Sequence, residues 1–236
     1  MFLLDYDIGM PEKQEIFTIM GGRVKMHRGI YNPTSDAVWL ASFVNGHPKT
    51  ALDIGIGTGG VALCIMARHP NLKMTGLDIS PDMLDACASN AKLNNKDIEL
   101  INTDILSWHT SRTFDLVVSN PPYFKGTPAT HNAHHNANLT QWTKKCLARV
   151  RPNGTFATIV DAGAMAEVLG AISEKCGNIV IFPLFSNKKT AERVLISGRV
   201  GQKPHTKLYS GLNMNCDAIL RDGLTIDEYL AMLTTL

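Results

Sequence analysis

From residue 50 onward, short apolar runs that read as buried strands alternate with helical segments, and the first four runs each end at an acid or an amide. Residues 50–55 (TALDIG) form the first such run. A helix is expected over 59–69, where Val61, Leu63, Ile65 and Met66 supply apolar surface and Pro70-Asn71 ends it. Residues 73–79 are a second strand. Ser80-Pro81-Asp82 then opens a helix to about residue 95, with Ser80 as N-cap and Pro81 at the first position, where no amide hydrogen is needed. Strands follow at 97–102 and 114–119, a helix at 136–150 stopped by Arg151-Pro-Asn-Gly154, a strand at 155–160 and a helix at 163–176. Residues 178–185 and 193–200 read as a closing antiparallel hairpin at one edge, and 225–233 as an amphipathic helix capped by Thr225. Strands alternating with helices predict a parallel sheet covered on both faces. The expected fold is therefore α/β and Rossmann-like: a seven-stranded, mostly parallel sheet with an antiparallel edge strand and helices on both faces. One domain is expected over 1–236, with a lead-in segment and helix over 1–48, the core over 49–200 and a C-terminal extension and helix over 201–236.

Composition narrows the class. Hydrophobic residues are 44% and charged residues 19%, as in a globular chain, and 236 residues bury a core without disulfides or structural metal. With 23 Lys+Arg against 21 Asp+Glu the chain is no uniformly basic nucleic-acid coat, although a local basic patch remains open. Cys64, Cys87, Cys146, Cys176 and Cys216 are scattered, with no CxxC pair, which suits inert thiols in a reducing compartment. No apolar run approaches the roughly 20 residues of a membrane span. The start, MFLLDYDIGMPEKQ, has acids where a secretory signal needs a basic segment. The expectation is a cytoplasmic protein without membrane contact, monomeric by preference.

Open parallel sheets bind ligands beyond the carboxyl ends of their strands. At those ends stand Asp53 with its glycines, Asp78, Asp104 and Asn120. Gly55, Gly57 and Gly60 satisfy GxGxxG, and Asp78 lies where a ribose-binding acid of a dinucleotide site is expected, so a dehydrogenase is one reading. The same stretch, Asp53-Ile-Gly55-Ile-Gly57-Thr-Gly59, also fits DxGxGxG and resembles motif I of the class I S-adenosylmethionine-dependent methyltransferases. The readings differ in charge. A pyrophosphate favours a helix N-terminus with no anion nearby, whereas a methionine moiety carries an ammonium and a sulfonium that Asp53 favours.

The fourth strand runs into Asn120-Pro121-Pro122-Tyr123, and two prolines cannot continue a central strand. Asn-Pro-Pro-Tyr resembles motif IV of the methyltransferases that modify planar amide or amine nitrogens, among them adenine-N6 and glutamine-N5 enzymes. An exocyclic amine is a poor nucleophile because its lone pair is delocalised into the ring. The Asn120 side-chain oxygen and the Pro121 carbonyl can each accept one amine hydrogen, drawing density onto nitrogen and turning it towards a sulfonium methyl. Rigid prolines keep reorganisation small. The resemblance implies a class I methyltransferase fold with S-adenosylmethionine as cofactor. It assigns Asn120, Pro121, Pro122 and Tyr123 to catalysis, and Asp53, Gly55, Gly57, Gly59, Asp78, Ile79, Asp104, Ile105 and Asn120 to the cofactor. Asp78 would accept the ribose hydroxyls and Asp104 the adenine amine.

Asn120-Pro-Pro-Tyr-Phe124-Lys-Gly126, the late Ala191-Glu-Arg193-Val-Leu195 and the segment Gly21-Gly-Arg23-Val, with Asp36 before a short apolar helix, bring the likeness closer. They resemble the bacterial tRNA adenine-N6-methyltransferases that modify the adenosine beside the anticodon of a valine tRNA. That implies an RNA partner, with Tyr123 and Phe124 receiving the base. Two basic sets would follow phosphates: Arg23, Lys25, His27 and Arg28, and Lys188, Lys189, Arg193, Arg199, Lys203 and Lys207. Tyr31 and Trp39 read as packing residues. The sequence departs from the family at Ala133-His-His-Asn136, where an Ala-Arg-x-Glu stretch is usual. His131, His134 and His135 have no cysteine or carboxylate nearby in sequence, so a substrate loop is expected there and no metal. Release-factor-type glutamine-N5 enzymes carry a long helical domain ahead of motif I, which comes early here. A guanine-N2 rRNA enzyme and a non-catalytic RNA-binding module stay open as alternatives.

Overall fold

The structure is a computed structural model that describes residues 15–29, 31–121, 139–187 and 189–234. Its first element is a hairpin the sequence reading did not contain, β1 (Ile16–Ile19) antiparallel to β2 (Val24–His27). Four-residue strands give too little alternation to stand out. Its turn takes three consecutive positive φ values at Met20, Gly21 and Gly22. A Cβ on Gly21 would lie 1.8 Å from the Arg221 carbonyl oxygen, so the turn docks against the C-terminal extension only because that residue is glycine.

Helix α1 (Ser35–Phe43) follows, buried at every position after Ser35. It shows no amphipathic stripe because it is covered on all sides. The sheet is built from β3 (Thr50–Ile54), β4 (Lys73–Asp78), β5 (Ile98–Asn102), β6 (Phe114–Ser119), β7 (Val150–Asp161), β8 (Cys176–Phe185), β9 (Arg193–Val200) and β10 (Thr206–Leu208), with β11 (Leu212–Asn213) also pairing with β8. The spatial order is β10-β8-β9-β7-β6-β3-β4-β5, and every pairing is parallel except those of β9. The seven expected strands are all present, and the fold class holds. Two short strands extend the sheet to nine. The antiparallel strand is not at the edge: the crossover from β7 to β8 leaves one position vacant, and the hairpin returns β9 into it.

Helices α2 (Gly60–Arg68), α3 (Pro81–Leu93), α4 (Leu139–Leu147) and α5 (Met165–Ser173) cover the two faces. Strand periodicity divides them. Ala51, Leu116, Val118, Ala157 and Ile159 share a buried cluster with α1, α2 and α3, while Leu52, Val117, Phe156 and Val160 share the other with α4 and α5. Ser80 caps α3, its hydroxyl accepting from the Met83 N–H, and Pro81 opens the helix as expected. The expected stop at Arg151-Pro-Asn-Gly154 is instead a bulge inside β7. Phe114 already pairs with Val150, Asn153 takes a φ of 63°, and Arg151 binds Asp115 at 2.9 Å. The Asp161 carboxylate accepts from the Gly163 N–H, which inserts a 3-10 turn (Ala162–Ala164) before α5.

The C-terminal extension folds back over α1 through α6 (Asp217–Leu220) and α7 (Ile226–Leu233), the latter closed by a capping box between Thr225 and Glu228. Trp39 is fully buried and donates its indole N–H to the Met214 carbonyl, as befits a packing residue, whereas Tyr31 is half exposed. All five cysteines are free, and burial raises the Cys64 and Cys87 thiols to about 12. Among the described residues no helix is long and apolar enough to cross a membrane.

Candidate active site at the carboxyl edge of the sheet

Strand β3 passes into a loop with positive φ at Gly55 (73°), Gly57 (53°) and Gly59 (90°), and Gly59 caps α2 in the left-handed conformation. A Cβ on Gly59 would lie 2.8 Å from the Cys87 sulfur, so the loop is pressed against α3. The amides of Gly55 and Ile56 both donate to the Leu77 carbonyl, at 2.8 and 3.0 Å. Asp78 completes the frame. One carboxylate oxygen accepts from the Gly57 N–H at 2.8 Å and the other from the Ser80 N–H at 2.9 Å. Each oxygen keeps a further lone pair for a ligand hydroxyl.

Asp53 lies beneath this loop, 1% exposed, and its Oδ2 has no hydrogen-bond partner among the described residues. Burial first, and the neighbouring Asp78 second, push its carboxyl up to about 7, while the Ala62 N–H in the first turn of α2 acts in the opposite direction. Thr58 Oγ1, in the same loop, is also buried without a partner among the described residues. Asp104 accepts from the Leu106 N–H at 2.9 Å through one carboxylate oxygen. Ile79 is 66% exposed beside Asp78, so it offers an apolar surface to a flat ring. Ile105 is buried in the core cluster under α4 and α5, which leaves only its main chain to meet a ligand.

Asn120 follows β6, half-buried, and Pro121 is buried. Registers place them beside the glycine loop: β3 and β6 are neighbours, and Ile54 pairs with Ser119, so Gly55 and Asn120 leave adjacent strands side by side. Pro122, Tyr123, Phe124, Lys188 and the 131–136 stretch with its three histidines lie outside the described residues. Sequence reasoning missed Ser119, next to Asn120, together with Thr158 and Trp142, each of which donates a hydrogen bond to it. The available signal was a serine closing the apolar Leu116-Val-Val118 run of a central strand.

The basic sets fare differently. Arg23 and Lys25 alternate with buried Val24 and Met26, so both are exposed along β2, although the Arg23 guanidinium donates to the Gly223 and Asp222 carbonyls. Arg28 pairs with Glu15 at 2.9 Å and lies over the Phe17 ring. The second set is not one cluster. Arg193 pairs across from Asp161 at the carboxyl end of β7, and Arg199 from Thr155 nearer the other end. Arg193 binds buried Asp36 at 3.2 Å and Asp161 at 3.4 Å, the arrangement of a brace rather than a phosphate contact. Lys189 is exposed. No group of three His, Cys, Asp or Glu able to hold a metal occurs among the described residues.

Residues 34–181 match the methyltransferase small domain family. The chain belongs to that family. The tRNA1(Val) (adenine(37)-N6)-methyltransferase of Glaesserella parasuis is 28% identical over 145 residues, covering 57% of this chain and 61% of that protein. The release factor glutamine methyltransferase of Lactococcus lactis is 40% identical over 72 residues, 30% of this chain and 26% of that protein. This methyltransferase small domain thus spans less than two thirds of the length of these curated relatives. Among solved structures, a predicted O-methyltransferase from Agrobacterium tumefaciens superposes with a TM-score of 0.64 at 20% identity, covering 76% of this chain and 88% of that one, which establishes the shared fold.

The edge of this methyltransferase small domain fits S-adenosylmethionine better than a dinucleotide. A buried carboxyl with an unpartnered oxygen under a glycine loop favours a compact cation and opposes a pyrophosphate. Asp78 would hold the ribose, Ile79 would cover the adenine and Asp104 would meet its amine.

Proposed function

We propose that this chain transfers the methyl group of S-adenosylmethionine to the exocyclic N6 amine of an adenine in RNA, with tRNA beside the anticodon as the substrate. The observation that carries the reading is the pairing of Ile54 with Ser119, which sets the glycine loop and Asn120-Pro121 at one point of the edge. The bound cofactor supplies an electrophilic methyl on a sulfonium. The Asn120 side-chain oxygen and the Pro121 carbonyl would each accept a hydrogen bond from the amine and aim the nitrogen lone pair at that methyl. With the cofactor bound, a nitrogen–carbon bond would form as the carbon–sulfur bond broke, its electron pair passing to sulfur and the amine losing a proton to water. Tyr123 is assigned to stack on the extruded base, a contact worth about 1–3 kcal/mol. The exposed cations of β2 would follow the RNA backbone. Similarity to the tRNA enzyme supports this substrate, and the free, mostly buried thiols support a reducing cytoplasm, where the protein would act as a monomer.

Protein glutamine-N5 transfer is the second reading, favoured by the local 40% identity to a glutamine methyltransferase. An amide nitrogen presents the same two hydrogens to Asn120 and Pro121. Transfer of labelled methyl to total tRNA from a strain lacking this gene, followed by nucleoside mass spectrometry, decides between them. N6-methyladenosine formed by the wild type and lost in Asn120→Ala supports the proposal. Label on a protein glutamine and none on tRNA overturns the substrate.

A further inference from the structure

Strand pairing stops at Ser119, and Pro121 has no amide hydrogen with which to extend it. The position of Asn120 is set by Ser119, and that residue is a junction. The Ser119 hydroxyl donates to the Ile54 carbonyl at 2.9 Å, the Ser119 carbonyl accepts from Thr158 Oγ1 at 2.7 Å, and the same hydroxyl accepts the Trp142 indole N–H at 3.1 Å. A serine hydroxyl has one hydrogen and two lone pairs, so these roles are compatible. The indole also reaches the glycine loop, because a Cβ on Gly55 would lie 3.6 Å from Trp142 Cζ2. One side chain therefore borders the side-chain position of the first glycine of the loop and bonds the residue that carries Asn120.

The helix beneath that indole is well anchored. Leu139, Thr143, Cys146 and Leu147 of α4 are buried. The Thr140 N–H donates to the Glu167 carboxylate of α5 at 2.9 Å, and Lys144 pairs with Glu174 at 2.8 Å. We infer that Trp142 is a positioning residue for methyl transfer: its N–H, acting through Ser119, sets Asn120 against the glycine loop, and its ring fills the space beside Gly55. The inference rests on the methyltransferase reading of this edge. It assigns Trp142 an effect on turnover that exceeds its effect on ligand affinity, since Asn120 engages the reacting nitrogen while Asp53 and Asp78 serve the cofactor.

Trp142→Phe keeps an aromatic ring and removes the N–H. On tRNA lacking the modification its kcat should fall about tenfold, with KM for tRNA and Kd for S-adenosylhomocysteine changed by less than about threefold. Ser119→Ala should cost less in the Trp142→Phe background than in the wild type, because both break one chain of bonds. A readout independent of turnover comes from fluorine NMR of protein labelled with fluorotryptophan. The chain has three tryptophans, and the resonance missing from Trp142→Phe should be the one that S-adenosylhomocysteine shifts. If Trp142→Phe does not fold, Ser119→Ala carries the same kinetic and binding comparison. Calorimetric binding of S-adenosylhomocysteine with an unmoved Trp142 resonance and wild-type kcat in Trp142→Phe overturns the inference and leaves the methyltransferase reading intact. A lowered melting temperature with unchanged kcat overturns it as well, since that is a packing role alone. Failure of the wild type to bind S-adenosylhomocysteine overturns the methyltransferase reading, and this inference with it.

Discussion

The two halves of the carboxyl edge are built differently. On the β3–β4 side the site is local: Asp53 and its glycines are consecutive, and Asp78 reaches back to the Gly57 amide across 21 residues. On the β6–β7 side it is assembled from distant chain. Ser119, which precedes Asn120, is held by Ile54, Thr158 and Trp142, and the β9 rim carries an Arg193–Asp36 pair 157 residues apart. The first half, on the proposed reading, would offer a charge environment to a cofactor, with main-chain geometry fixed by glycine. The second half, on the proposed reading, would offer two hydrogen-bond acceptors to a nucleophile, with geometry fixed by tertiary contacts.

The largest expected effect separates the halves. Asn120→Ala removes one of the two acceptors aimed at the amine, and kcat should fall by about 10²–10³, the range for deleting one preorganised transition-state hydrogen bond. Calorimetric affinity for S-adenosylhomocysteine should stay within about threefold. Loss of cofactor binding would mean the halves are not separable.

That division also marks what was legible in the sequence. All seven principal strands could be read because buried β-runs between capped helices are local signals. Ser80-Pro81 gave the start of α3 to the residue, and Thr225 the start of α7. The β1–β2 hairpin escaped because its four-residue strands are stabilised by α3 and the C-terminal extension: the Asn94 side chain accepts from the Lys25 N–H and donates to its carbonyl. Arg151-Pro-Asn-Gly154 misled because a turn signature and a β-bulge use the same residues. Arg193 read as a phosphate ligand because its partner Asp36 is far away in sequence, and Trp142 went unread because no spacing joins it to Asn120.

Asp53 gives the next effect, and its sign differs with and without ligand. Burial holds its folded pKa at about 7, above the ordinary carboxylate value of 3.8, so the native state holds the extra proton between these values. Stability of the ligand-free protein should therefore fall as pH rises from about 4 to about 7 and stay level above, by at most about 4 kcal/mol. Asp53→Asn should remove that slope, melting above the wild type at pH 8 and close to it at pH 4. The ammonium of the ligand prefers the ionised carboxylate, so affinity for S-adenosylhomocysteine should rise about fivefold from pH 6 to pH 7 and level off above about pH 8, a dependence absent in Asp53→Asn. A wild-type melting temperature that climbs between pH 5 and 7 relative to Asp53→Asn would remove Asp53 from this role.

Arg193→Met tests the brace on the other half. The Asp36 side chain is 5% exposed and would lose the guanidinium 3.2 Å away, so urea denaturation should show a loss of about 3 kcal/mol. The slope of RNA affinity against salt should not change, because a brace releases no counterions. A reduced slope with unchanged stability would return Arg193 to the phosphate contacts.

Lys25→Ala should behave in the opposite way and is the smallest effect. Lys25 is exposed on β2, and its main chain, not its ammonium, holds the hairpin to Asn94. Stability should change by less than about 0.5 kcal/mol. If the ammonium follows an RNA phosphate, the log–log slope of tRNA affinity against salt should shrink by about 0.7–0.9, the counterions released at one contact. An unchanged slope would confine Lys25 to solvent and leave the hairpin a structural strap for α3, with the RNA following another face of the same edge.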